Sequence, residues 1–160
     1  MIELRKITWD NWEECINLKV TEEQDNFIAS NIYSMAQSYV ALLNDELPPM
    51  TYAIYNDDIM IGFVMLYHET SEENEYGDEE CYGVCRFMID KRYQGKGYGK
   101  EAFAKSLELI KTFPQGEASA VYISYYPQNI VAKNLYATFG FVETGAVNDD
   151  GELIAKLNLR

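Results

Sequence analysis

An apolar run at residues 84–89 leads straight into Asp90-Lys91-Arg92-Tyr93-Gln94-Gly95-Lys96-Gly97-Tyr98-Gly99-Lys100, and a helical pattern then covers residues 101–111. A strand that feeds a glycine-rich turn and opens into a helix fits few folds. Glycines at three alternate positions leave the backbone bare, so its N–H groups can converge on one anion. The positive end of the new helix adds to the same spot. The stretch reads as a grip for a phosphate or pyrophosphate. It is shorter than the dinucleotide-binding fingerprint, and Gly99-Lys100 is followed by Glu101 where a nucleoside-triphosphate loop needs Ser or Thr.

Around this turn the chain alternates strand and helix signals. Ile2, Leu4 and Ile7 mark a first strand, and Trp12, Cys15, Ile16 and Val20 a helix capped at Thr8 or Asp10. Residues 25–43 carry a second helical pattern, with Phe27, Ile28, Ile32, Met35, Ala36, Tyr39, Val40 and Leu43 in phase. Runs at 51–55 and 59–67, separated by Asn56-Asp57-Asp58, read as a hairpin. A strand over 81–89 precedes the turn. A strand over 120–125 is followed by a helix opening at Pro127, with Val131, Leu135 and Phe139 as its core stripe. Runs at 141–147 and 153–159, joined through Asn148-Asp149-Asp150-Gly151, close the chain as a hairpin. The order β-α-α-β-β-β-α-β-α-β-β has no repeat and no linker. It predicts one α/β domain over residues 1–160, its central sheet mixed and mostly antiparallel, flanked by helices, with the two helix-flanked strands parallel.

Charge narrows the function classes. Twenty-six acidic against thirteen basic residues give a net charge of −13, which repels nucleic acid and anionic membranes and attracts cations. The distribution is uneven. Seven carboxylates (Glu69, Glu72, Glu73, Glu75, Asp78, Glu79 and Glu80) follow one another with no basic residue among them, while six of the thirteen basic residues lie between Arg86 and Lys105. The acidic run reads either as a solvated loop or, with Glu22, Glu23 and Asp25, as a funnel for a cation. The start of the chain, Met-Ile-Glu-Leu-Arg, has no signal-peptide pattern, and no apolar run approaches the ~20 residues of a membrane span. A soluble cytoplasmic protein is expected. Cys81 and Cys85 are roughly 13 Å apart on a strand at ~3.3 Å per residue, too far to bridge, and no histidine cluster accompanies the cysteines. No metal site is expected, and His68, without a visible partner, reads as a strand-end residue.

The second constellation lies on the later helix: Asn129-x-x-Ala132-x-x-Leu135-Tyr136-x-x-x-Gly140-Phe141. At 3.6 residues per turn, Asn129, Ala132 and Tyr136 share a stripe, and a small residue between an amide and a phenol leaves a shallow channel for a thin ligand. Together with Gln94-x-x-Gly97-x-Gly99, this pattern resembles the GNAT N-acetyltransferase superfamily over the whole chain. Val20-x-x-x-Gln24-x-x-Phe27-Ile28, the acidic run, and Arg86-Phe87-Met88-Ile89-Asp90 more narrowly resemble bacterial spermine/spermidine (diamine) N-acetyltransferases.

The resemblance implies acetyl-CoA as co-substrate, with its pyrophosphate on the backbone N–H groups of Gln94, Gly95, Lys96, Gly97, Tyr98, Gly99 and Lys100. The pantetheine arm would run along Phe87, Met88 and Ile89 as an added strand, with Asn129 and Ala132 on its other side. Backbone N–H near Met88 or Ile89 would stabilise the developing oxyanion, and Tyr136 would protonate the departing thiolate. The implied reaction is direct attack by a polyamine such as spermidine or spermine in a ternary complex. A protein or peptide amine, and an acyl-CoA sensor without turnover, are the alternatives. Related polyamine enzymes carry an acidic residue shortly before this Phe, where the present chain has Cys85-Arg86. The base is therefore unassigned, with Glu79, Glu80 and Tyr82 as candidates acting through water. Dimers are common in the superfamily, so the resemblance also allows a homodimer.

Overall fold

The computed structural model describes residues 1–159. Among the described residues, seven strands are hydrogen-bonded in the order β1-β2-β3-β4-β5-β7-β6, and four α-helices accompany them. The sheet is mostly antiparallel, and the pair β4–β5 runs parallel. Contacts gather the residues into two compact units, Met1–Leu66 with Arg86–Thr112, and Tyr67–Cys85 with Phe113–Arg160.

The first unit holds β1 (Ile2–Lys6), α1 (Trp12–Asn17), α2 (Asn31–Asn44), β2 (Met50–Asn56), most of β3 (Ile59–Glu69), the end of β4 (Cys81–Ile89) and α3 (Tyr98–Ile110). β1, β2 and β3 form an antiparallel meander in which Leu4 faces Ile54 and Ile54 faces Gly62. β3 is buried along seven consecutive residues, which is why its sequence reads as an unbroken apolar run rather than an alternating one. Ile54, Phe63, Val64, Phe103 and Ile110 are fully enclosed, and Phe87 meets Phe103 edge-on at 5.4 Å. Gly62 is required by space: a Cβ there would collide with the carbonyl oxygen of Met88.

Two helical expectations in this unit need correction. The pattern predicted at 25–43 is a short 3-10 turn, Gln24–Asn26, followed after a break by α2. Ser30 starts that helix late, because its hydroxyl accepts from the Tyr33 N–H and caps it. Most of the apolar positions of α2 face outward: Ile32, Ala36, Tyr39, Val40 and Leu43 are exposed, while Met35 is half-buried. α2 packs through Asn31 and Ser34, and Asn31 Nδ2 donates to the Cys15 carbonyl at 2.9 Å.

The second unit holds the start of β4, β5 (Ala120–Tyr125), α4 (Ile130–Thr138), β6 (Val142–Val147) and β7 (Leu153–Asn158). The parallel ladder pairs Cys81–Val84 with Ala120–Ile123, and β5 pairs with β7 along its whole length. α4 also inverts its expected stripe: Val131 is exposed, Leu135 and Phe139 are half-buried, and Tyr136 is the buried residue. The acidic loop is pinned rather than loose. Tyr122 donates to Glu79 at 3.0 Å, Lys156 pairs with the same carboxylate at 2.5 Å, and the nearly buried Asn74 donates to the Glu79 carbonyl at 3.0 Å.

Candidate active site

In the first unit the functional turn grows from β4. Asp90, only 2 % exposed, ends the strand and acts as the anchor of the turn. Its carboxylate accepts from the Arg92 N–H and Arg92 Nε on one oxygen and from the Lys19 N–H on the other, at 2.8–2.9 Å. Burial pushes its pKa up, but Arg92 and the two backbone donors outweigh burial and hold the carboxyl below its ordinary value. Gln94 closes the turn. Its amide donates to the Ile89 carbonyl at 2.8 Å and exchanges hydrogen bonds with Gln24. The Gln94 side chain is thus part of the scaffold, and only its backbone remains for a ligand.

Gly95 and Gly97 have φ of 77° and 84°, in the left-handed region, and a Cβ at either would meet nothing within 4 Å. Both glycines are demanded by conformation, and the space above them is open. Gly97 is the N-cap of α3 and contributes no side-chain hydrogen bond, so the first N–H groups of this 13-residue helix lack a side-chain cap. An open cradle at the positive end of an uncapped helix, flanked by the exposed Lys96 and Lys100, fits a pyrophosphate. Gly99 differs: its φ is not positive, and a Cβ would lie 3.8 Å from Ile89 Cγ1, an ordinary contact. Upstream, Met88 and Ile89 are buried and Phe87 half-buried, and the β5 ladder does not include these three residues. Glu22 and Glu23 also belong to this unit, exposed beside the 3-10 turn.

The second unit carries the remaining predicted residues. Asn129 is the N-cap of α4: its Oδ1 accepts from the Ala132 N–H at 3.3 Å, while its Nδ2 makes no hydrogen bond among the described residues. Cap and donor are therefore combined in one amide, which is oriented by the helix it starts. Two turns on, Tyr136 is 8 % exposed and packs against Tyr125 and Phe141 at 5.7 and 6.2 Å between ring centres. Burial, then the charges of Glu152 and Tyr125, lift its phenol well above the ordinary value. It stays protonated at neutral pH and holds a proton to give, but as a weaker acid than an exposed tyrosine.

The three candidate bases fare differently. Glu79 is locked to Lys156 and Tyr122, and the Lys156 hydrogen bond leads the influences that keep its carboxyl below the usual range. Tyr82 is fully buried; its hydroxyl donates to the Gly116 carbonyl at 2.7 Å and accepts from the Gln115 N–H at 2.9 Å. Tyr82 has no exposed surface, and its hydroxyl is engaged on both its donor and acceptor sides within the core. Glu80 remains half exposed. Its Oε2 lies 3.5 Å from Nε2 of His68, whose ring is nearly buried and edge-on to Tyr82 at 4.9 Å. The sequence reading missed this partner because His68 and Glu80 are separated by the whole acidic loop. Pairing the end of β3 with the start of β4 was the signal that would have found it. No group of three or more residues able to hold a metal occurs among the described residues.

The profile of the Acetyltransferase (GNAT) family matches residues 2–141. The chain belongs to the GNAT acetyltransferase family. It is an acetyltransferase, and acetyl-CoA is its co-substrate. It is similar to the spermine/spermidine N(1)-acetyltransferase of Bacillus subtilis (strain 168), 29% identical over 155 residues, covering 96% of this chain and 95% of the relative. The probable spermine N(1)-acetyltransferase of Bacillus subtilis subsp. natto (strain BEST195) matches to the same extent. Among solved structures, the fold is similar to aminoglycoside acetyltransferase AAC(6')-Ib in complex with coenzyme A, with a TM-score of 0.73 at 17% identity over 99% of this chain and 95% of that one. It is also similar to the PaiA N-acetyltransferase from Thermoplasma acidophilum with coenzyme A, with a TM-score of 0.66 at 17% identity over 99% of each chain. No helix among the described residues is long and apolar enough to cross a membrane.

The contrast between two glycines tests the cradle. Gly97→Ala places a Cβ on a left-handed backbone, costs about 1 kcal/mol or more, and should weaken acetyl-CoA binding at least tenfold. Gly99→Ala fits the helix and should leave both melting temperature and affinity close to the parent's. Calorimetric titration of both variants with acetyl-CoA reads the difference, and equal losses at both positions would contradict the assignment.

Proposed function

We propose that the acceptor is a small polyamine such as spermidine or spermine, acetylated on a primary amine by direct attack while both substrates are bound. The observation that carries this reading is the near full-length likeness to the spermine/spermidine N(1)-acetyltransferase. The acidic loop supports it independently. Among the described residues only Glu79 of its seven carboxylates pairs with a lysine or arginine. Burial, then the charges of Glu73 and Glu75, raise the pKa of Glu69. Carboxylates held near one another without a counter-cation attract a flexible polycation, which relieves their repulsion when it binds.

In this reading the chain's residues divide the work. The N–H groups of Gly95–Lys100 hold the pyrophosphate of acetyl-CoA, and the backbone of Phe87–Ile89, outside the β5 ladder, lies along its pantetheine arm. Asn129 Nδ2 donates to that arm. A backbone N–H at Met88 or Ile89 faces the oxygen on which charge develops. Tyr136 holds the proton that the leaving sulfur takes. The acceptor's ammonium, with a pKa near ~10, must lose a proton before it attacks. Glu80 is the candidate to take it through water, since Glu79 is occupied by Lys156 and Tyr82 is buried.

Thiol release from acetyl-CoA across a panel of amines tests the substrate. Turnover with spermidine and spermine, exceeding that with kanamycin and a basic peptide, is expected; turnover confined to kanamycin or the peptide would contradict the polyamine assignment. The panel should be run with Glu69→Gln as well. A carboxyl whose pKa is raised in the folded state costs stability once pH exceeds its unfolded value, and the cost disappears as pH falls through the raised value. Glu69→Gln should therefore melt higher at neutral pH, with the advantage fading in acid, while the spermidine KM rises several-fold. A lower melting point with unchanged KM would remove Glu69 from the polyamine site. Tyr136→Phe should lower kcat by about 10²-fold with little change in acetyl-CoA affinity. A variant at full rate would exclude Tyr136 as the proton donor.

A further inference from the structure

Tyr67 is an aromatic residue that the division of work above leaves without a role. It stands where β3, buried along seven consecutive residues, becomes half-buried. Its ring crosses to β4 and lies over Gly83, where a Cβ would collide with Cζ, Cε1 and the hydroxyl oxygen of Tyr67. The φ of Gly83 is not positive, so space and not conformation demands this glycine. A glycine inside a strand weakens it and marks a close approach. Gly83 pairs with Tyr122 on the parallel strand β5, and side chains at paired positions share one face of the sheet. The Tyr67 and Tyr122 rings therefore stand side by side. The acidic loop adds a third ring: Tyr76, 37 % exposed, lies 6.4 Å from Tyr122 between ring centres. Glycine makes room there too, since a Cβ at Gly77 would meet the Tyr122 hydroxyl at 2.5 Å.

We propose that Tyr67 is a specificity-determining residue of the acceptor site: with Tyr76 it walls a narrow slot over β4 and β5 that takes the methylene chain and one ammonium of a linear aliphatic amine. This inference rests on the polyamine reading and adds where the chain of that amine lies and what selects it. Aromatic faces receive both methylenes and a cation. Glu79, which accepts from Tyr122, is already paired with Lys156, so the ammonium is left to the rings and to Glu69, two residues beyond Tyr67 on β3. Burial, then Glu69, raises the pKa of the Tyr67 phenol, with Cys81, Cys85 and Tyr76 adding to it. Tyr67 thus stays neutral at physiological pH and presents a ring without a further charge. The slot also adjoins the proton donor. Burial leads the rise in pKa of both Tyr76 and Tyr136, and the charge of Glu152 adds to each, so one carboxylate lies near both phenols. Because the Tyr67 ring fills the space over Gly83, a thin chain fits and a bulky fused or linked ring system does not.

Steady-state thiol release by the full chain, with spermidine and with kanamycin as acceptors, tests it. Tyr67→Ala should raise the spermidine KM about tenfold, the loss of one desolvated cation–π contact, and the effect should fall on KM rather than on kcat or acetyl-CoA affinity. The wider slot should also shift the ratio of kcat/KM values toward kanamycin. Tyr67→Phe restores the ring and should restore the spermidine KM. Where Tyr67→Ala does not fold, Tyr67→Leu keeps an apolar side chain over Gly83 without an aromatic face, and the same rise in KM is expected. A spermidine KM that stays at the parent's value in Tyr67→Ala or Tyr67→Leu would overturn the proposal, as would a rise that Tyr67→Phe shares in full. Either result leaves the polyamine reading standing. A parent protein that acetylates kanamycin and not spermidine would overturn both together.

Discussion

Asp90 is the group on which the functional turn depends. A carboxylate with 2 % exposure survives only if its lone pairs are satisfied, and here three donors from two parts of the chain do so. Two donors come from Arg92, directly after β4, and one from Lys19, far upstream; the Lys91 N–H donates back to the Lys19 carbonyl at 2.8 Å. The end of β4, the segment after α1 and the start of the glycine turn are thereby fixed to one another. With Gln94 bridging Ile89 and Gln24, side-chain hydrogen bonds brace the turn, and Gly95 and Gly97 hold left-handed backbone with open space above them. A preorganised set of N–H donors binds an anion without first having to be ordered.

The same economy appears in the acidic loop. One carboxylate, Glu79, is spent on structure through Lys156, Tyr122 and the backbone bond from Asn74. Burial, with the charges of Glu73 and Glu75, raises the pKa of Glu69 in the same loop. Of the loop's carboxylates, only Glu79 pairs with a lysine or arginine among the described residues.

Much of the fold is legible from local signals. The strands at 81–89 and 120–125 are read within a residue because their apolar runs end at Asp90 and near Pro127. The glycine turn is legible because positive φ admits little but glycine. The failures have a common physical source. In α4 the stripe Val131, Leu135 and Phe139 reads as the core face, whereas periodicity reports only that two faces differ, not which one the rest of the chain covers; the apolar positions of α2 likewise lie mostly outward. Asn31 binds the Cys15 carbonyl, and that long-range hydrogen bond turns the polar face of α2 inward. Tyr82 is named with Glu79 and Glu80 as a candidate base acting through water. Its hydroxyl is consumed by Gly116 and Gln115, contacts more than thirty residues away that no local pattern reveals. The motifs themselves, Gln94 to Gly99 and Asn129 to Tyr136, were legible by resemblance, but the structural use of the Gln94 and Asn129 side chains was not.

We propose that the backbone of the turn and the first turn of α3 bind the pyrophosphate of coenzyme A. Amide NMR during titration with coenzyme A tests it most directly, because it observes the N–H groups themselves. The account predicts that the largest shifts fall on Gly95–Lys100, with the Tyr98, Gly99 and Lys100 amides moving as they gain an acceptor. Saturable binding that leaves those amides unmoved would contradict it.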